Sequence, residues 1–320
     1  MPSYSGVWNL VSQYQAQGAG LWPPNYFPPP SGNVALFGGG INASTTTNTI
    51  QFINFSTTGD ANDFGDLSVA RNSLASCSSS TRGLFGGGRT AGGTQLNAID
   101  YVTILTSGNA TAFGDLTVAR RSFSACSSAT RGVFGGGYSG YINVIDYVTI
   151  ASAGNATDFG DLLTGNLGPA SCSSTTRGLF AGGETSGGFV NVIQYITIAS
   201  AGNATDFGDL LSTNSVAAGC SSSTRGITAG GYNDTTLNVI QYVTIASTGN
   251  ATDFGDLTAA AFYLSSTSNS TIGLFGGGFD SHINVISSIT IASTGNATDY
   301  GDLTSVVYAL AACSNSHGGL

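Results

Sequence analysis

Apolar and polar residues along this chain alternate in short runs, and the runs recur. In one copy, "SFSACSS" (Ser122–Ser128) reads as strand a and "RGVFGGG" (Arg131–Gly137) as strand b. "NVIDYVTIA" (Asn143–Ala151), crowded with β-branched and aromatic residues, predicts strand c. "DFGDL" (Asp158–Leu162) predicts a short strand d, and the "SAGN" before it supplies Gly and Asn for a tight turn.

The copies are evenly spaced. A Gly-rich triplet begins at Gly38, Gly86, Gly135, Ala181, Ala229 and Gly276, with steps of 48, 49, 46, 48 and 47 residues. A nine-residue phrase, "GNATDFGDL", stands at Gly154–Leu162, Gly202–Leu210 and Gly249–Leu257, with variants at Gly59–Leu67, Gly108–Leu116 and Gly295–Leu303. From the Asn opening strand c to the last Asp of the phrase is always 18 residues, as in Asn143 to Asp161. From the following Leu to the next triplet is always 19, as in Leu67 to Gly86. All length variation therefore falls in the loop between strands b and c. Four antiparallel strands per unit, repeated, predict an all-β propeller over residues 33–320 with six blades. The first unit lacks its own strand a, so a C-terminal strand near Val306–Ser314 is expected to supply it and close the ring.

The pattern Arg, strand a, "RGVFGGG", "NVIDYVTI", "FGDL" resembles the kelch repeat. That family carries an Arg before strand a, a Gly doublet after strand b, an aromatic in strand c and a Trp in strand d. The doublet matches in every copy, and the Arg at Arg71 and Arg120. The strand-c aromatic is present as Phe52, Tyr101, Tyr147, Tyr195 and Tyr242 but is Ser288 in the last copy; Phe or Tyr replaces the Trp. The resemblance implies the fold and, because folds host unrelated activities, nothing more.

In an up-and-down blade the bc loops share one face with the segments joining strand d to the next strand a. That face is expected to carry Arg71, Arg89, Arg120, Arg121, Tyr138, Tyr141, Glu184, Phe189, Tyr232, Asp234, Phe279, Asp280 and His282. Variable loops on a rigid frame are where binding surfaces lie, and Tyr, Phe and Arg carry contact energy. Drift in unconstrained loops is the competing account. The near-identical nine-residue phrase reads as scaffold, with its Phe packed between blades and the Asp of "GD" satisfying turn amides.

Composition narrows the function. The chain has 320 residues, eight Arg, no Lys and seventeen acids, for a net charge of −9, which disfavours nucleic acid as partner. No apolar run approaches the roughly 20 residues of a membrane helix, and the N-terminus has neither the basic start nor the apolar core of a secretion signal. Cys77, Cys126, Cys172, Cys220 and Cys313, one per repeat, read as small buried residues rather than disulfide or metal partners. The two histidines, His282 and His317, lie on different elements, so no zinc, copper or Ser-His-Asp site is expected. "DFGD" offers too few oxygens for calcium, and no phosphate-binding loop follows the triplets. No enzyme activity, cofactor or metal is expected.

Residues 1–32 share nothing with the repeat. They hold Trp8, Tyr14, Trp22 and six of the seven prolines. Such a segment either straps the ring or docks the protein into a larger assembly. "GVWNLVSQYQA", "LWPP" and the "TIASTGNATDFGDLT" repeats also resemble structural proteins of marine and cyanobacterial tailed phages, particularly tail-fibre-like ones. That resemblance implies a virion component, homo-oligomeric in the particle. Its N-terminal segment would dock to other virion proteins through Trp8, Tyr14 and Trp22, and its propeller would bind a host surface glycan or protein. A capsid or tail decoration protein, and a cellular kelch-type adaptor, are the alternatives.

Overall fold

A computed structural model describes residue 30 and residues 32–43, 45–280 and 284–320. Among these residues every regular element is a β-strand, and the strands form six four-stranded antiparallel sheets, the material of a β-propeller. The third sheet runs Ser124–Ser127, Arg131–Gly135, Val144–Thr149 and Thr157–Asp161, close to the four predicted strands. The first sheet takes its strands b, c and d from Val34–Gly38, Thr49–Asn54 and Asn62–Asp66. Its strand a is Ala311–Ser314, with Leu36 opposite Cys313. The expected C-terminal strand is shorter than predicted at its start. Val307–Tyr308 pairs instead with Ile41–Asn42, in a small sheet with Thr45–Thr46.

Each c–d pairing carries one β-bulge. In the third sheet Ile145 pairs with Gly160 and Asp146 with Asp158, so Phe159 is the extra residue. The extra residue is buried with Val133 and Ile145 of its own sheet and Phe180 and Ile196 of the next. Equivalent clusters lie between every other successive pair of sheets. One of them joins Leu274 and Ile286 of the sixth to Phe37 and Ile53 of the first. The core is thus divided into six inter-sheet layers rather than one centre.

The nine-residue phrase does more than fill these layers. The Gly202 and Ala204 N–H groups donate to the carbonyls of Phe159 and Asp161 in the preceding sheet, at 2.7 and 2.8 Å. The Asn203 side-chain oxygen accepts the Asp161 N–H at 3.0 Å. The "GNA" half of one copy therefore grips the "FGD" half of the copy before it. The same three bonds recur at all six junctions, with Asp60 replacing Asn where Asp302 meets Gly59–Ala61. A side chain at Gly160 would meet the backbone of Gly202, which explains the glycine there. The outer strand of each sheet, which would otherwise present unpaired amides, is covered.

Candidate binding face

The joining segments and the bc loops pair with one another, which places them on one side. Asn72 bridges Arg89, Arg121 bridges Tyr138, Leu167 bridges Glu184, Ser215 bridges Tyr232 and Phe262 bridges Phe279. Along this side runs an arc of half-buried aromatic rings. Phe189 meets Tyr232 at 5.8 Å, Tyr232 meets Phe262 at 5.3 Å, Phe262 meets Phe279 at 5.2 Å and Phe279 meets Tyr308 at 4.9 Å between ring centres. Tyr263 joins at 5.5 Å from Phe262. Such spacings are those of favourable edge-to-face and tilted pairs. Toward the third sheet Tyr138 and Tyr141 form a second pair, and Arg121 stacks on Tyr138 at 4.7 Å. The Tyr141 hydroxyl donates to Glu184 at 2.8 Å, and this bond raises the Tyr141 pKa. Glu184 in turn pairs with Phe189 across a two-stranded hairpin, which connects the two clusters.

Of the residues expected here, Arg89, Arg121, Tyr138, Tyr141, Glu184, Phe189, Tyr232 and Phe279 are partly buried on this face, and Asp234 and Asp280 are exposed. Asp234 and Asp280 hold φ of 73° and 105°, left-handed conformations uncommon for a residue with a side chain. Arg120 is a correction. It is fully buried and paired with Asp146 at 3.0 Å, its guanidinium also donating to the carbonyls of Phe134 and Val144. Arg71 repeats the arrangement with Asp100 at 2.8 Å. Burial lowers both arginines' pKa, and the facing carboxylate opposes the shift. Their place on the joining segments suggested exposure, but each guanidinium turns inward under strands b and c. His282, Trp8, Tyr14 and Trp22 lie outside the described residues. Phe262, Tyr263 and Tyr308 complete the arc and were missed. Their signal was present, since "AFY" and "VVY" are the only joining segments that bring aromatics beside the bc loops.

The arc borders the mouth of a cavity. Ser73, Ser122, Gly168, Val216, Tyr263 and Ala309 stand around it, each donating its N–H to the carbonyl of the equivalent residue one sheet back, 2.7–3.0 Å. This circuit of six returns to its start. All six residues have left-handed φ of 50–64°, unfavourable for β-branched Val216. Inside the mouth is a cavity of about 80 Å³ lined by these residues and by Leu74, Phe123, Pro169, Ala217, Leu264 and Leu310. The Ser122 hydroxyl is buried there with no partner.

At the far end of the inner strands a second circuit appears. Ser78, Ser127, Ser173, Ser221, Ser268 and Ser314 each donate a hydroxyl to the carbonyl of the serine one sheet back, 2.5–2.9 Å. His317 lies against this circuit, with Nε2 at 3.1 Å from both the Ser127 hydroxyl and the Ser78 carbonyl. Its Nδ1 accepts the Gly319 N–H at 3.0 Å, so the neutral ring carries its proton on Nε2. Burial lowers the His317 pKa, against the pull of the Ser78 carbonyl. Three residues before the last, this histidine packs beneath the inner strands. The cysteines beside the serines are free, and burial pushes Cys172 and Cys313 up to about 12. Such thiols are unreactive.

Among the described residues no cluster of His, Cys, Asp or Glu is arranged to hold a metal ion, and no helix is long and apolar enough to cross a membrane. No protein-family model matches the chain, and no curated protein matches it.

Proposed function

We propose that the chain is a six-bladed kelch-like propeller over residues 33–320, closed by the pairing of Ala311–Ser314 with Val34–Gly38. In this reading it is a non-enzymatic structural protein of a phage particle, of tail-fibre or adhesin type. The bc/da face engages a receptor on the host surface, and residues 1–32 dock the protein to other virion components. The observation that carries the reading is the aromatic arc from Phe189 to Tyr308, which concentrates contact-forming side chains on one face of an otherwise monotonous Ser/Thr/Asn/Gly surface. A decoration protein packing on flat virion subunits is the second reading. It is favoured by Leu163 and Leu211, which begin two joining segments and remain 49 % and 52 % exposed.

Binding of the fluorescently labelled full chain to a panel of marine cyanobacterial cells tests the first reading. The Tyr232→Ala/Phe262→Ala protein is expected to lose at least about tenfold in affinity, as hot-spot removal does. Equal binding by the two proteins, or no binding by either, would overturn it.

A further inference from the structure

Charge is distributed unevenly over the molecule. Of the seventeen acids, twelve belong to the nine-residue phrases: Asp60, Asp63, Asp66, Asp115, Asp158, Asp161, Asp206, Asp209, Asp253, Asp256, Asp299 and Asp302. These sit on or beside the outermost strands. Two more, Asp100 and Asp146, are neutralised by Arg71 and Arg120. The arc's side is left with Arg89 and Arg121 against Glu184, Asp234 and Asp280 among the described residues, two charges of one sign against three of the other. Each cation is also engaged by a neighbour, Arg121 stacked on Tyr138 and Arg89 bonded through Nε to Asn72.

Resting on the reading of this face as the binding surface, we infer that its ligand is a neutral glycan, whose pyranose rings lie along the arc from Phe189 to Tyr308. The chemistry matches term by term. A pyranose presents an apolar face of axial C–H groups, which packs on an aromatic ring without needing charge. Its vicinal hydroxyls need acceptors, and the exposed carboxylates of Asp234 and Asp280 stand on the loops beside Tyr232 and Phe279. A polyanionic chain meets two cations outnumbered by three acids, and a polycationic peptide finds a face with almost no net charge. The mouth cavity adds a position. At about 80 Å³ it exceeds the roughly 30 Å³ share of a single water but is too small to enclose a sugar ring. It can take one exocyclic substituent, a hydroxymethyl group or the methyl of an acetamide, against Leu74 and Leu264. The unpartnered Ser122 hydroxyl is there to bond its oxygen. Tyr263 lines the cavity and touches Phe262, so arc and cavity form one continuous site.

The test uses the full chain and the cells of the preceding experiment, with two pretreatments: periodate, which cleaves vicinal diols of surface glycans, and proteinase K, which removes surface protein. Arc-dependent binding should fall by about tenfold or more after periodate and survive proteinase. Cellohexaose, maltohexaose and chitohexaose provide neutral probes; a heparin hexasaccharide and hexalysine provide charged ones. At least one neutral probe should bind in titration calorimetry, with affinity that is insensitive to added salt, because no counterions are released. Ser122→Ala should weaken that probe by a few-fold while leaving the urea midpoint of unfolding unchanged from the parent, a side chain with no partner having none to lose. Arc-dependent binding that survives periodate and is lost after proteinase would overturn the glycan assignment while the binding face stands. Preferential binding of heparin or hexalysine would overturn it as well. Absence of arc-dependent binding to untreated cells is the separate failure of the parent reading.

Discussion

The two buried arginines show how tightly a charge inside this molecule is tied to its partner. Arg71 and Arg120 face Asp100 and Asp146; the positions that correspond in the fourth and fifth sheets hold Asn166 with Gln194 and Asn214 with Gln241, and in the sixth Ala261 with Ser287. Cation and anion are present together or absent together, as expected when a lone buried charge is far costlier than a neutral pair. Asn166 and Asn214 still donate to the Gly182 and Gly230 carbonyls, much as Arg71 donates to Gly87. The Arg120→Met variant is therefore expected to lose about 3–5 kcal/mol in urea unfolding. Arg120→Asn combined with Asp146→Gln, which copies the fourth sheet, should recover most of that loss. A double variant no better than the single would show that the pairing is not what fixes these residues. A second exchange runs alongside. Arg82, Arg131, Arg177 and Arg225 stack on Tyr101, Tyr147, Tyr195 and Tyr242 and donate to carbonyls of the sheet beyond. The sheets without the Arg, with Val34 and Ile272 there, carry Phe52 and Ser288 instead.

At the scale of the element, the strands were readable because their period and β-branched content are local properties, and rigid spacing fixed their order. What each half of the nine-residue phrase grips was not readable, since those bonds join residues some forty positions apart. The Asp of "GD" was expected to satisfy turn amides; it is instead its own backbone that the next copy holds. Gly160→Ala should accordingly destabilise the protein more than Asn203→Ala. The former drives a methyl into the Gly202 backbone at φ 144°, whereas the latter deletes one partly exposed bond, worth about 1 kcal/mol. The reverse order in denaturant unfolding would remove close approach as the reason for the glycine. The arc was half legible. Bc-loop aromatics stood out against polar neighbours, but the inward turn of Arg120 depends on an aspartate 26 residues away. The segment Asn315–Leu320 gives a pH prediction with a definite sign. His317 has its pKa lowered in the folded protein, so the unfolded chain binds its proton first as pH falls. The contribution is complete above about pH 6.5 and declines below it. A proton added at Nδ1 would also remove the acceptor of the Gly319 N–H. Thermal unfolding of the His317→Gln protein should lose less stability between pH 7 and 5 than the parent; parallel pH profiles would exclude this histidine.

For the molecule as a whole, stability is spread over repeated junctions, each supplying one apolar layer and the same three outer hydrogen bonds. The two circuits of hydrogen bonds at the ends of the inner strands run in one sense through all six sheets, an arrangement in which successive bonds polarise one another. Deleting residues 311–320 would take strand a from the first sheet and break the serine circuit at Ser78 and Ser268. The truncated protein is expected to unfold in a broad, multi-step transition where the parent shows a single sharp one, because nearest-neighbour arrays lose cooperativity from a free end. A single sharp transition after truncation would mean that the proposed closure contributes nothing to cooperativity. Since plug and socket reside in the same nine residues, adding or losing one complete unit by unequal recombination leaves every remaining junction matched. In the proposed closed ring, only the angle needed to bring the last unit back to the first would resist a change in copy number, so a gene of this kind could vary its loops freely while its tally of units stays pinned.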